Sequence, residues 1–194
     1  MIKREEALKF LDKKVDNKNI IKHMLAVEAL MGGVWDVLNE RKESNLEGTK
    51  SEWMMAGLLH DGDYVEGVNM KSQGVLVSQW LKEEGYDIPD NVAYAMAAHN
   101  AETGEAPKSL MDWTIFTGDS LTGLIVAATL VLPSRKLADV SVDSILRRFK
   151  EKAFARGTRR EDVSLCKEKL GIDLAEFVDI SLKSMQNISK NLGL

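Results

Sequence analysis

The sequence predicts an all-α fold, and three observations indicate it. Apolar residues recur at three- and four-residue steps along most of the chain, as on the buried face of a helix. Alternating runs of β-branched residues are few, and the 194 residues include only three prolines. With 44% apolar and 29% charged residues, the chain can bury a real core. We therefore expect one domain over residues 1–194.

Most predicted helices have a recognisable start or end. Asn17 has the position of an N-cap before the second helix, and Thr49 with Glu52 has capping-box spacing before the third. Gly85 and Gly171 stand where C-terminal caps are expected. The predicted helices cover about residues 4–15, 18–42, 50–60, 70–84, 89–99, 109–132, a segment after 141, 158–171 and 173–191. We expect a core over about residues 18–132, with a C-terminal helical elaboration over about 133–194.

The chain has three histidines, and each falls on the inner face of a different predicted helix. His23 lies among aliphatic residues of the second helix, whereas His60 and His99 stand at the ends of the third and fifth. A single histidine in such a place is usually a hydrogen-bonded core residue, but here all three behave alike. Asp61 follows His60 directly, and imidazole and carboxylate groups are the ligands that hold a catalytic divalent cation. Neighbouring side chains within a helix point about 100° apart, so His60 and Asp61 can share one metal ion only if the helix ends there, before Gly62.

Asp119 is the fourth candidate ligand. It falls on the buried face of the predicted helix over residues 109–132. An unpaired carboxylate in a core is costly, so it is normally neutralised, paired or bound to metal. The sequence therefore predicts a metal site formed by His23, His60, Asp61 and Asp119.

A first histidine, a His-Asp doublet and a distant aspartate resemble the signature of the HD-domain superfamily of metal-dependent phosphohydrolases. The spacings are 37 residues from His23 to His60 and 58 from Asp61 to Asp119. This resemblance covers about residues 20–131 and implies an HD-like helical bundle. It also implies a divalent cation (manganese, magnesium, iron, cobalt or nickel) that activates water against the phosphoester of a nucleotide or another small phosphorylated molecule. The additional histidine pair and the Gly-Tyr-Pro signature of the cyclic-dinucleotide branch are missing, which argues against that branch.

Asp63 and His99 are the candidate catalytic residues outside the ligand set. Asp63 and, less strongly, Glu66 follow the doublet in a loop, where a carboxylate could accept a proton from water. His99 has three open roles: it could bind a second metal, hold the substrate phosphate or protonate the leaving group. For each of these residues the plain alternative is an ordinary loop charge or a core histidine.

Charge and cysteine content indicate the compartment and the partners. The single cysteine excludes an internal disulfide framework, and the first residues lack the apolar core of a signal peptide, so we expect a cytoplasmic protein. The longest apolar run, over residues 121–132, is too short for a membrane span. A net charge of −4 does not favour binding to nucleic acid. The sequence leaves open whether the protein forms a homo-oligomer.

One segment departs from the acidic balance. Residues 135–160 contain nine Lys or Arg against three acidic residues, a net charge of +6. Five of these side chains could reach a substrate phosphate or another chain by electrostatic steering; they are Arg135, Lys136, Arg147, Arg148 and Lys150. The plain alternative is a solvated basic helix face.

Two other classes of function remain beside the hydrolase. One is an inactive metal-binding HD module that acts as a regulatory or interaction domain. The other is a helical scaffold without metal. Metal analysis separates the scaffold from the others, and a phosphatase assay separates the enzyme from the inactive module.

Overall fold

The computed structural model describes residues 2–194 and confirms the all-α fold, with no strand in that range. The longer helices follow the predicted bounds closely. The α-helices are α1 (Arg4–Lys14), α2 (Lys18–Glu40), α3 (Lys50–Leu59), α4 (Leu76–Glu83), α5 (Asp90–Ala98), α6 (Leu110–Leu130), α7 (Val142–Lys150), α8 (Arg160–Val163), α9 (Cys166–Leu170), α10 (Leu174–Asn187) and α11 (Ser189–Leu192).

Local sequence signals explain where the core helices begin. The Asn17 side chain accepts from the backbone N–H of Asn19 at the start of α2. Thr49 and Glu52 form the predicted capping box of α3, and Ser109 with Asp112 forms another before α6. Each cap satisfies backbone N–H groups that a helix start leaves without partners.

Two predicted helices are interrupted. The segment over residues 70–84 is a 3₁₀ turn (Met70–Ser72) followed by α4, because Gly74 has a φ of +73° that a helix does not accommodate. The segment over residues 158–171 forms the short helices α8 and α9, and Thr158 does not cap α8 through its side chain.

Helices α2 and α6 form the centre of the bundle, with α3 and α10 packed on α2. Three glycines on these helices permit close crossings. A Cβ on Gly57 of α3 would lie 2.8 Å from the backbone nitrogen of Glu28 in α2. On α2, Gly32 faces Met54 of α3, and Gly33 faces α10. The pair Gly32-Gly33, for which the sequence predicts a bend or a close crossing, therefore serves close crossings on two sides.

Helix α1 is tied to the core by an ion pair between the half-exposed Arg4 and the buried Glu28. Arg4 Nε and Nη2 bind the two carboxylate oxygens of Glu28 in α2, at 2.5 and 2.8 Å. Such two-pronged pairing fixes the orientation of the guanidinium as well as its position. Helix α1 also packs on α3.

Helix α6 is long and apolar enough by composition to cross a membrane. However, 61% of its most apolar 18-residue window is buried inside the fold, and the same pattern is typical of the central helix of a globular bundle. One such helix is weak evidence for a membrane segment.

The Gly57 crossing generates a stability prediction. Gly57→Ala should lower the free energy of unfolding by about 1–3 kcal/mol, because the added methyl group meets backbone atoms that cannot move aside independently. Gly123→Ala in α6 is the matched control. A Cβ there meets nothing within 4 Å, so alanine should be neutral or stabilise by up to about 1 kcal/mol. Urea unfolding of both variants measures the difference, and equal stabilities would contradict the close crossing.

Candidate metal centre

Three core helices bring the four predicted ligands together. His23 lies in the second turn of α2, and Asp119 lies near the middle of α6. His60 is the C-cap residue of α3, and Asp61 follows it in the turn before Gly62. The doublet therefore stands at a helix end, as the sequence predicts. His60 is fully buried, whereas His23 and Asp61 are partly exposed, so the cluster is open on one side.

The ligand atoms are spaced as they would be around one cation. His23 Nε2 lies 3.2 Å from His60 Nε2 and 2.9 Å from Asp119 Oδ1. Asp61 Oδ2 lies 3.6 Å from both of these imidazole nitrogens, and Asp119 Oδ1 lies 3.8 Å from His60 Nε2. Neighbouring ligands bound at about 2.0–2.2 Å are separated by about 2.8–3.6 Å, depending on coordination number. The group of His23, His60 and Asp61 could thus hold a metal ion, and Asp119 adjoins it.

The hydrogen bonds of the two ligand histidines favour a free lone pair on Nε2. His60 Nδ1 lies 2.8 Å from the carbonyl oxygen of Gly57, which can only accept, so Nδ1 carries the proton. His23 Nδ1 lies 3.2 Å from Thr122 Oγ1, and this hydroxyl donates its own proton to the Asp119 carbonyl at 2.8 Å. In both residues the unprotonated Nε2 then faces other lone pairs. Such an arrangement requires a positive charge between them, either a proton or a metal ion.

The electrostatics of the cluster agree with that requirement. Burial alone would raise the pKa of Asp119, but the imidazoles of His23 and His60 hold this pKa well below its ordinary value. The pKa of Asp61 is also lowered, since the electrostatic effect of the neighbouring His60 and a hydrogen bond to His99 outweigh burial. Burial would lower the pKa of His23, but the hydrogen bond to Asp119 raises it overall. Both carboxylates are therefore ionised and ready to bind a cation.

His99 joins the cluster through Asp61. Its Nε2 lies 3.4 Å from Asp61 Oδ1, and its ring packs edge-on against His60 with centroids 4.9 Å apart. His99 Nδ1 lies 2.5 Å from the carbonyl oxygen of Met96, which fixes the ring. Burial lowers the pKa of His99, but the Asp61 hydrogen bond and charge outweigh this and raise it. The structure thus brings His99 to the site, as the sequence predicts.

Asp63 has a different place from the one predicted. It is fully buried, and its two carboxylate oxygens accept the backbone N–H groups of Gly74 at 2.9 Å and Val77 at 3.0 Å. A Cβ on Gly74 would lie 2.0 Å from the Met96 carbonyl oxygen, so Asp63 holds this loop against the end of α5. Burial raises the pKa of Asp63 despite the two hydrogen bonds. The contacts make Asp63 an anchor of the loop beside His99 rather than a free proton acceptor.

Arg159 contacts the site although it was not among the predicted site residues. Its Nη2 donates to Asp119 Oδ2 at 2.8 Å. Within residues 2–194 it is the one Lys or Arg that pairs with a predicted ligand. The five basic residues predicted to reach a phosphate do not pair with any predicted ligand. Arg147 and Arg148 instead line a small cavity together with Ala128. Ala128 lies nine residues after Asp119 in α6, which is about 13 Å along the helix. A side chain from a distant segment gives no local signal.

Two cavities are lined by residues of α2 or the segment just before it, and one of them includes His23. One, of about 440 Å³, is lined by His23 itself, by Thr122 and by Lys22 and Asn19, and has an apolar wall that includes Val126. The other, of about 560 Å³, lies along the loop after the doublet, is lined by Ile20, Tyr64 and Glu66, and contains no predicted ligand. Both volumes are typical of small-molecule sites. The first cavity is the better candidate for a substrate site because the candidate ligand His23 forms part of its wall.

The first prediction from this geometry concerns metal binding. After chelation and reloading, the protein should bind about one divalent ion per chain, and His60→Ala/Asp61→Ala should abolish this binding while circular dichroism shows an unchanged helical content. Since the pKa of His23 is raised and a ligand imidazole must be neutral, the affinity should fall as the pH is lowered through that raised value. Stoichiometric metal in the double variant would refute the assignment.

The second prediction separates the two roles of Asp63. Asp63→Asn keeps the volume but replaces one acceptor by a donor that faces a backbone N–H, so the free energy of unfolding should fall by about 1–3 kcal/mol. Bound metal should stay at the wild-type stoichiometry. A variant with wild-type stability and a large loss of turnover would instead favour the predicted catalytic role.

Comparison with known proteins identifies no relative of this chain. No protein-family model matches the chain, and no curated protein or solved structure is significantly similar to it. The resemblance to the HD-domain superfamily therefore rests on His23, His60-Asp61, Asp119 and their helical setting.

Proposed function

We propose that the protein is a metal-dependent phosphohydrolase of the HD type, which cleaves a phosphoester of a nucleotide or another small phosphorylated molecule. The observation that carries the proposal is the cluster of two imidazole Nε2 atoms and two ionised carboxylates around one point. That donor set suits manganese, magnesium, iron, cobalt or nickel. A divalent cation bound there would supply charge to neutralise the phosphoryl oxygens and would acidify water.

The protein's own contribution is to hold the ligands and to limit access. The Gly57 carbonyl fixes His60, and Thr122 fixes His23, so each Nε2 is directed before any ligand binds. The 440 Å³ cavity beside His23 would accept the organic part of the substrate. Its apolar wall would contact a planar or aliphatic group, while Lys22 and Asn19 offer donors to polar substituents.

His99 is the proposed proton donor to the leaving oxygen. Its raised pKa keeps it protonated at a higher pH than an ordinary histidine, and its ring is fixed by the Met96 carbonyl. Nε2 then carries a proton that Asp61 Oδ1 accepts at rest. A leaving oxygen beside Asp61 could receive that proton, which is the usual task of a general acid.

An assay on the chelated and reloaded protein tests the proposal. We expect hydrolysis of p-nitrophenyl phosphate or of nucleotides in a phosphatase panel with manganese or nickel, and none without metal. Asp119→Asn should reduce turnover far more than stability, because it keeps the side-chain volume but loses the charge that binds the cation. Metal binding with no turnover across the panel would favour the inactive regulatory module instead.

The role of His99 is tested by His99→Gln. We expect kcat to fall about a hundredfold, as for loss of a general acid, while bound metal stays at one equivalent. A fall in metal stoichiometry from two toward one would show a second metal ligand. A lower melting temperature with unchanged kcat would show a structural core histidine. Bound metal, kcat and melting temperature on this one variant separate the three roles.

A further inference from the structure

Arg159 is the strongest feature that the proposed function leaves unassigned. It comes from the C-terminal elaboration, yet its guanidinium lies at the ligand cluster, with Nη2 2.8 Å from Asp119 Oδ2 and 3.5 Å from the His99 carbonyl oxygen. Asp119 uses its other oxygen, Oδ1, to face the histidine pair. Arg159 and a cation at the histidines would therefore occupy different oxygens of Asp119, and both can be present together.

The guanidinium is held in place from several sides. Arg159 Nε donates to Asp162 Oδ2 at 2.9 Å, and its backbone N–H donates to Ser120 Oγ at 3.2 Å. The neighbouring Arg160 binds carbonyl oxygens of the preceding loop, including those of Phe149 and Phe154, and so fixes the segment that carries Arg159. Little conformational freedom remains to be lost when Arg159 binds a ligand.

The same guanidinium has unused donors. Within residues 2–194, Nη1 makes no hydrogen bond, and 44% of the Arg159 side chain is exposed. In the planar guanidinium, Nη1 lies about 2.3 Å from Nη2, so it stands within a few ångströms of Asp119. A charged donor pair without a hydrogen-bond partner thus stands beside the candidate metal centre, on a side chain that is partly open to solvent.

We propose that Arg159 binds a non-bridging oxygen of the substrate phosphoryl group through Nη1, while another oxygen of the same group faces the cation. This inference rests on the proposed function. A divalent cation with Asp61 and Asp119 has no net charge, and Asp162, 2.9 Å from Arg159 Nε, offsets the charge of the guanidinium. Arg159 therefore contributes directed, charged N–H donors that suit phosphate oxygens rather than an excess of positive charge.

Inorganic phosphate, the expected product, is the probe for the test. Its affinity is measured by calorimetry on manganese-saturated wild type, Arg159→Ala, Arg159→Lys and Arg156→Ala. Arg156 is exposed, lies three residues away and makes no ion pair within the described residues, so Arg156→Ala removes the same charge without touching the site. Melting temperatures confirm that each variant is folded.

We expect Arg159→Ala to weaken phosphate binding about 10- to 100-fold, as for loss of a charged hydrogen bond. Arg159→Lys should recover part of this, and Arg156→Ala should bind like wild type. Equal affinities in Arg159→Ala and Arg156→Ala, or tighter binding in Arg159→Ala, would overturn the role of Arg159 alone. A wild-type protein that binds no manganese would overturn the metal-dependent function as well, and the manganese titration made first distinguishes the two failures.

Discussion

The structure depends on how two carboxylates and three imidazoles are accommodated at one point in a helical core. Asp61 and Asp119 would repel each other and would be costly to bury without positive charge between them. The close crossing of α2 and α3 at Gly57 brings His23 and His60 together, with their Nε2 atoms 3.2 Å apart. A glycine at the contact permits that packing, because a Cβ there would lie 2.8 Å from the backbone nitrogen of Glu28. The same close crossing of α2 and α3 therefore determines both the packing of the core and the geometry of the site.

The C-terminal segment completes this arrangement. Arg160 donates hydrogen bonds to backbone carbonyl oxygens of the loop before α8. Its neighbour Arg159 donates to the carboxylate of Asp119 in α6. An elaboration outside the predicted core thus supplies the one guanidinium that contacts the ligands within residues 2–194. That contact joins residues 40 apart in the sequence and so ties the C-terminal segment to α6.

Local signals made the helices and the clustering of the candidate ligands predictable. Caps such as Asn17 and Thr49 fix helix starts through neighbouring residues, and the inward positions of the three histidines follow from helical periodicity. The loop role of Asp63 was not predictable, because its partners, Gly74 and Val77, are 11 and 14 residues away and offer backbone groups that any sequence has. The contact of Arg159 with Asp119 was not predictable either, because the two residues are 40 apart and nothing local distinguishes Arg159 from the other eight basic residues of its segment.

Each ligand carboxylate uses its two oxygens for two tasks. Asp61 directs Oδ2 at the histidine pair and Oδ1 at His99, whereas Asp119 directs Oδ1 at the histidine pair and Oδ2 at Arg159. With one oxygen of each group engaged elsewhere, each aspartate would bind a cation through a single atom. A divalent cation held by His23, His60, Asp61 and Asp119 would supply charge to neutralise phosphoryl oxygens and would acidify water. His99 and Arg159 thus each engage one oxygen of these aspartates and leave the other oxygen directed at the histidine pair.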